Sequence, residues 1–218
     1  SYLVPLSPLA THTSYSLVGI NTKTPTHKFA KVACVSFSRG THITLAYGEQ
    51  RRFEELNVGD RVLTRDDGPQ KVQWIGQNTV RAVGEFAPIC IKAGTLNNDN
   101  DLIVSPDHRL FIYQRSDELG AGHAELLVKV RYLLNNDNVF TQAGGYVDCF
   151  QLLFDGHEII YAEGIAAESM LTDTRTKPVL PAHISKDMGE VIPSHSNRPH
   201  TGLDVQESLL DRPDAAVI

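Results

Sequence analysis

The chain has 218 residues, 41% hydrophobic and 21% charged, with a formal net charge of -6. That length suits one sizeable domain with flanking segments, at roughly 100–200 residues per domain. No apolar run approaches the roughly 20 residues that cross a bilayer, which argues against an integral membrane segment. Lys and Arg never cluster, so nucleic acid and anionic lipid are not expected partners.

Residues 1–35 mix Thr, His, Ser and Pro with short apolar alternations such as SYSLVGI, and read as an N-terminal arm with a strand or two. The opening SYLVPLSPLA lacks the basic start and long apolar centre of a secretory signal, and the compartment stays open. Over residues 36–173 the texture changes to short β-rich runs: THITLAYG, DRVLTRDDG, QKVQWIG, APICIKAG, DLIVSPDHRLFIYQR, ELLVKVRYLL, YVDCFQLLF and HEIIYAEG. Turn signals about every ten residues predict an all-β domain. Asp66-Asp67-Gly68 marks a tight turn between two strands, and Trp74, in alternation with Val72, is expected in the core. Short helices are expected only within 51–57 and 124–135. Residues 174–218 are rich in Pro, His, Ser and Asn and predict a largely irregular tail with a short helix at 203–210.

Cys34, Cys90 and Cys149 are too few and too scattered for a disulfide framework. Free buried thiols are expected, with one disulfide as the alternative. No CxxC or HxxxH spacing suggests a metal, His195 and His200 of the tail included, and no cofactor is expected. The oxygen-rich NNDND at 97–101 and NNDN at 135–138 lack the glycine and glutamate of a calcium loop and read as solvated turns.

Four segments, in order, resemble the Hint (hedgehog/intein) family in its bacterial branch. Ser36-Phe37-Ser38-Arg39-Gly40-Thr41 is similar to the opening C-F-x-x-G-T block, with Ser36 at the cysteine position. FEELNVGDRVLTRDDGPQKVQWIG is similar to the E-x-L-x-x-G-D-x-V-L-T run. LIVSPDHRLFI resembles the T-x-x-H block, with Ser105 for Thr and His108 as the histidine. HEIIYAEGIAAES resembles the closing strand. The resemblance implies a flattened pseudo-twofold β-fold that brings its two ends together beside His108.

It also implies self-processing, with the chain's own N-terminal segment as substrate. Ser36 would attack the Val35 carbonyl, converting an amide to an ester. His108 would protonate the departing nitrogen, since an imidazole pKa near 6.5 suits proton exchange at neutral pH. Ser105 would hold the scissile peptide in a strained geometry. Cys34 would substitute for Ser36 only if the first strand slid by two residues, about 6.6 Å. Asp155 and His157 are further candidates, as base or orienter. The family's closing His-Asn pair is replaced by Glu168-Ser169, so C-terminal cleavage and splicing are not expected, and Ser169 is a weaker candidate for a second step. The acceptor nucleophile is unspecified.

The alternative function is a degenerate module that keeps the fold for binding or presentation. The plain structural alternatives are a strand serine at Ser36, a carbonyl-bonded histidine at His108 and a turn histidine at His157.

Overall fold

The computed structural model describes residues 35–113 and 125–171. The arm's strands, Cys34, the tail histidines and the helix expected at 203–210 lie outside the described residues.

Fourteen strands account for nearly all the regular structure described. In the first half they are β1 (Phe37–Ser38), β2 (His42–Thr44), β3 (Gln50–Arg52), β4 (Arg61–Leu63), β5 (Pro69–Lys71), β6 (Trp74–Arg81) and β7 (Ile89–Ile91). The second half adds β8 (Leu102–Val104), β9 (Arg109–Tyr113), β10 (Glu125–Lys129), β11 (Val139–Thr141), β12 (Tyr146–Leu153), β13 (Ile159–Ala162) and β14 (Ile165–Glu168). One six-stranded sheet runs β11-β7-β8-β1-β12-β6, a second runs β10-β9-β14-β13-β2-β3, and β4-β5 form a separate hairpin. All named pairings are antiparallel, as short strands joined by tight turns require.

Alternation in sequence becomes alternation in burial. In β9, Leu110 and Ile112 face the core while Arg109, Phe111 and Tyr113 point away from it. The Asp66-Asp67-Gly68 turn joins β4 to β5. Gly68 adopts φ +64°, a conformation glycine takes without steric cost, and its carbonyl accepts from the Thr64 amide at 3.1 Å.

The aromatic rings of Phe37, Phe53 and Phe150 form the centre of the core, with successive centroids 5.5 and 5.3 Å apart. Phe37, in the opening block, thereby fixes β1 between β8 and β12.

Two short-helix expectations are met by single 3-10 turns, and one expectation, the core placement of Trp74, is corrected. The 51–57 segment holds the end of β3 and a single 3-10 turn, Phe53–Glu55, which drops Phe53 into the core. The 125–135 stretch is β10 followed by a 3-10 turn, Val130–Leu133, because the consecutive apolar residues of β10 are buried on both faces. Trp74 is only half-buried: its indole lies along the surface of β6 over Gly76, where a side chain would collide with it.

The NNDND and NNDN segments are turns. Asn98 is buried, and its amide donates to the carbonyls of Ile91, Lys92 and Asn100. The Asn135 side-chain oxygen accepts from the amides of Asp137, Asn138 and Val139. Among the described residues, no group of three or more His, Cys, Asp or Glu is placed to hold a metal, and no helix is long and apolar enough to cross a membrane.

Candidate functional site

Ser36 enters the first sheet just ahead of β1 and is buried. Its carbonyl accepts from the Ser105 amide at 3.1 Å, and its own amide donates to Ser105 Oγ at 3.2 Å. These bonds continue the β1–β8 pairing one residue beyond Phe37 and Val104.

The chain leaves β8 through Ser105-Pro106-Asp107, a turn closed by the His108 amide donating to the Ser105 carbonyl at 3.0 Å. Proline restricts this turn, and Asp107 ties it down by pairing with Arg131 at 2.9 Å and Lys129 at 3.5 Å. The turn delivers His108 into the interior, fully buried, with its ring edge against Phe37 at a centroid distance of 4.4 Å. His108 Nδ1 stands 3.2 Å from the Ser36 carbonyl oxygen, and Nε2 stands 3.1 Å from the Glu168 carbonyl oxygen.

One imidazole therefore bridges the residue that opens the homologous blocks and the residue at the end of β14. Burial is the largest influence on its pKa and lowers it, outweighing the nearby Glu168 carboxylate. A neutral ring has one N–H for two facing carbonyls, so only the protonated ring satisfies both. Burial thus disfavours the charged ring in a geometry whose two carbonyls would suit it.

The Hint-domain family model matches residues 35–174. The chain belongs to the Hint-domain family. Among solved structures, this Hint domain is similar to a bacterial intein-like domain from Clostridium thermocellum, at 14% identity and TM-score 0.43, covering 62% of this chain and 99% of that one. A DnaB intein from Synechocystis is similar at 13% identity and TM-score 0.40, covering 62% and 98%. No curated protein matches.

Behind His108 lies a buried charged group. The Glu168 carboxylate accepts from the Arg109 amide at 3.1 Å and from its guanidinium at 3.3 Å, and His157 Nε2 approaches it at 3.4 Å. That last contact is an ion-pair approach without hydrogen-bond alignment, and His157 Nδ1 has no polar partner among the described residues. Burial works to raise the Glu168 pKa, but His157, Arg109 and His108 together hold it below the usual carboxylate value. His157 is thus a buried histidine facing Glu168, not a solvated turn residue. Asp155 is exposed, accepts from Gln73 Nε2 at 3.0 Å, and does not join this cluster. The Ser169 hydroxyl accepts from the Glu158 amide at 2.9 Å.

Sequence reasoning missed Cys149, which strand pairing places diagonally across from Ser36. The two residues line a cleft with Ser105 and Pro106 whose interior, about 20 Å³, has room for about one water. No motif marks this cysteine; only the pairing of β1 with β12 brings it to Ser36. The carboxylate of Glu168 was likewise read only as a departure from His-Asn, although its neighbour Arg109 follows His108 directly in sequence.

Proposed function

We propose that this Hint domain rearranges its own backbone at Val35–Ser36, releasing residues 1–35 by way of an ester. The observation that carries the reading is the clamp on Ser36: its amide on Ser105 Oγ and its carbonyl between Ser105 N–H and His108 Nδ1. Ser36 Oγ attacks the Val35 carbonyl carbon and the C–N bond breaks; in the net reaction the proton that Oγ gives up ends on the Ser36 nitrogen, which departs as a free amine. Ser105 Oγ lies on that nitrogen and relays the proton to it from Ser36 Oγ, and His108, on the Ser36 carbonyl, is the titratable group beside the relay.

The one-water cleft beside Ser36 supports hydrolysis of the ester. With Glu168-Ser169 at the closing position and the Ser169 hydroxyl already accepting a backbone amide, the reaction stops without splicing.

Incubating the chain and its Ser36→Cys variant with and without hydroxylamine or dithiothreitol, then weighing the products, tests this reading. A fragment ending at Val35 that vanishes in His108→Ala is expected. An intact chain in every tube, Ser36→Cys included, would sink the reading and leave a Hint fold kept for binding or presentation.

A further inference from the structure

We propose that Cys149 is the second nucleophile of this site, taking the acyl group from Ser36 as a thioester before water releases it. This rests on the reading that Ser36 attacks Val35. Four observations converge on it.

Register comes first. Ser38 pairs with Cys149 across β1 and β12, and side chains two apart on an extended strand share a face. Ser36 and Cys149 are therefore diagonal neighbours on one face, a relation that in antiparallel pairs brings side chains into reach. The second observation is the clamp that holds Ser36 in place, its amide on Ser105 Oγ and its carbonyl on the Ser105 amide. Third, both groups open on the same water-sized cleft, and Cys149 is only partly buried. Cys90, the other described cysteine, is buried in β7 and does not line that cleft.

The fourth is chemical. A serine ester is a sluggish substrate for one unactivated water, whereas sulfur is the better nucleophile. Burial raises the Cys149 pKa, so the thiol is protonated at neutral pH and its proton needs a destination. The Ser36 oxygen supplies one. As the new C–S bond forms and the ester C–O bond breaks, the thiol proton passes to Ser36 Oγ, regenerating the hydroxyl. Residues 1–35 are then held on Cys149 through Val35, with Ser36 carrying a free α-amine. Attack by the cleft water breaks the C–S bond, giving a Val35 carboxylate and returning the proton to sulfur.

The test is a time course of the full chain, quenched in acid, alkylated at free thiols and mapped by protease digestion and mass spectrometry. The expected result is a branched peptide joining a segment that ends at Val35 to the segment containing Cys149, removed by neutral hydroxylamine. Cys149→Ala should lose that species and release residues 1–35 at least ten-fold more slowly, and Ser36→Ala should abolish both events. Release by Cys149→Ala at the unmodified rate, with no branched peptide at any time, would overturn the thioester step and leave Ser36 cleavage standing. A native chain that stays intact with Cys149 fully alkylated would instead overturn the Ser36 reading and this step with it. Thermal melts accompany each variant. If Cys149→Ala melts early, Cys149→Ser keeps the side-chain shape and should accumulate a hydroxylamine-labile ester at position 149, whose absence also counts against the proposal.

Discussion

The imidazole of His108 stands 3.2 Å from the Ser36 carbonyl oxygen, a contact across 72 positions of sequence inside a fully buried pocket. Its other nitrogen faces the Glu168 carbonyl. Loss of this ring removes a bridge between the two six-stranded sheets as well as a titratable group, and the two effects separate by pH.

Burial lowers the His108 pKa from 6.5, so the unfolded chain binds a proton at this position before the folded one does. Stability contributed by the neutral ring is present above pH 6.5 and is lost as pH falls from there toward the folded value. His108→Gln should be less stable at pH 8, because packing is lost, yet show a flatter decline in melting temperature just below pH 6.5. Melting curves across pH 8 to 5 read both features; an unchanged slope would contradict a buried neutral histidine.

Glu168 is buried with a carboxylate that Arg109 and His157 face. Glu168→Ala leaves the Arg109 guanidinium without its anion and His157 without its facing carboxylate, and removing one partner of a buried pair typically costs about 3–5 kcal/mol. Denaturant titration should show a loss of that order. Glu168→Gln, which keeps the shape and an acceptor for Arg109, should lose less.

Glu158 has the opposite sign. Burial, then the Asp67 and Asp66 carboxylates of the β4–β5 turn, push its pKa from 4.5 up to about 7. The folded state therefore holds the proton longer than the unfolded one. Its stabilising contribution is full below about pH 4.5 and is lost as pH rises through about 7. Glu158→Gln should raise the melting temperature above pH 7 by a few degrees, with the gain shrinking to nothing near pH 4.5. A gain equal at both pH values would mean that the carboxyl is not the cause.

Trp74, the chain's single tryptophan, lies over Gly76, where an added Cβ would collide with the indole Cη2. Gly76→Ala should push the indole toward solvent and shift its fluorescence to longer wavelength, at about 1–3 kcal/mol in stability. Unshifted emission would show that the ring accommodates the methyl in place.

Much of the fold was legible because antiparallel strands repeat every two residues and turns have chemical signatures. The alternation in RLFIY became β9, and Asp66-Asp67-Gly68 became the β4–β5 turn. The opening and T-x-x-H-like blocks likewise gave the family. Segments without a clear period carried two readings: ELLVKVRYLL stands among the β-rich runs yet also allows a short helix, and strand β10 and a 3-10 turn share it. Trp74 failed for a related reason, since a strand pattern tells which face a residue occupies but not what covers it.

The sequence alone determined the all-β class and the Hint-domain membership and singled out Ser36, Ser105 and His108 as candidates, because these reside in local patterns and short ordered blocks. Tertiary structure decided which groups meet. It set Ser105 Oγ on the Ser36 amide, spread His108 between two carbonyls, buried His157 against Glu168, left Asp155 in solvent and brought Cys149 to the cleft that Ser36 lines. The reason is physical: strand register fixes neighbours across more than a hundred residues of chain, and only the paired sheets specify that register.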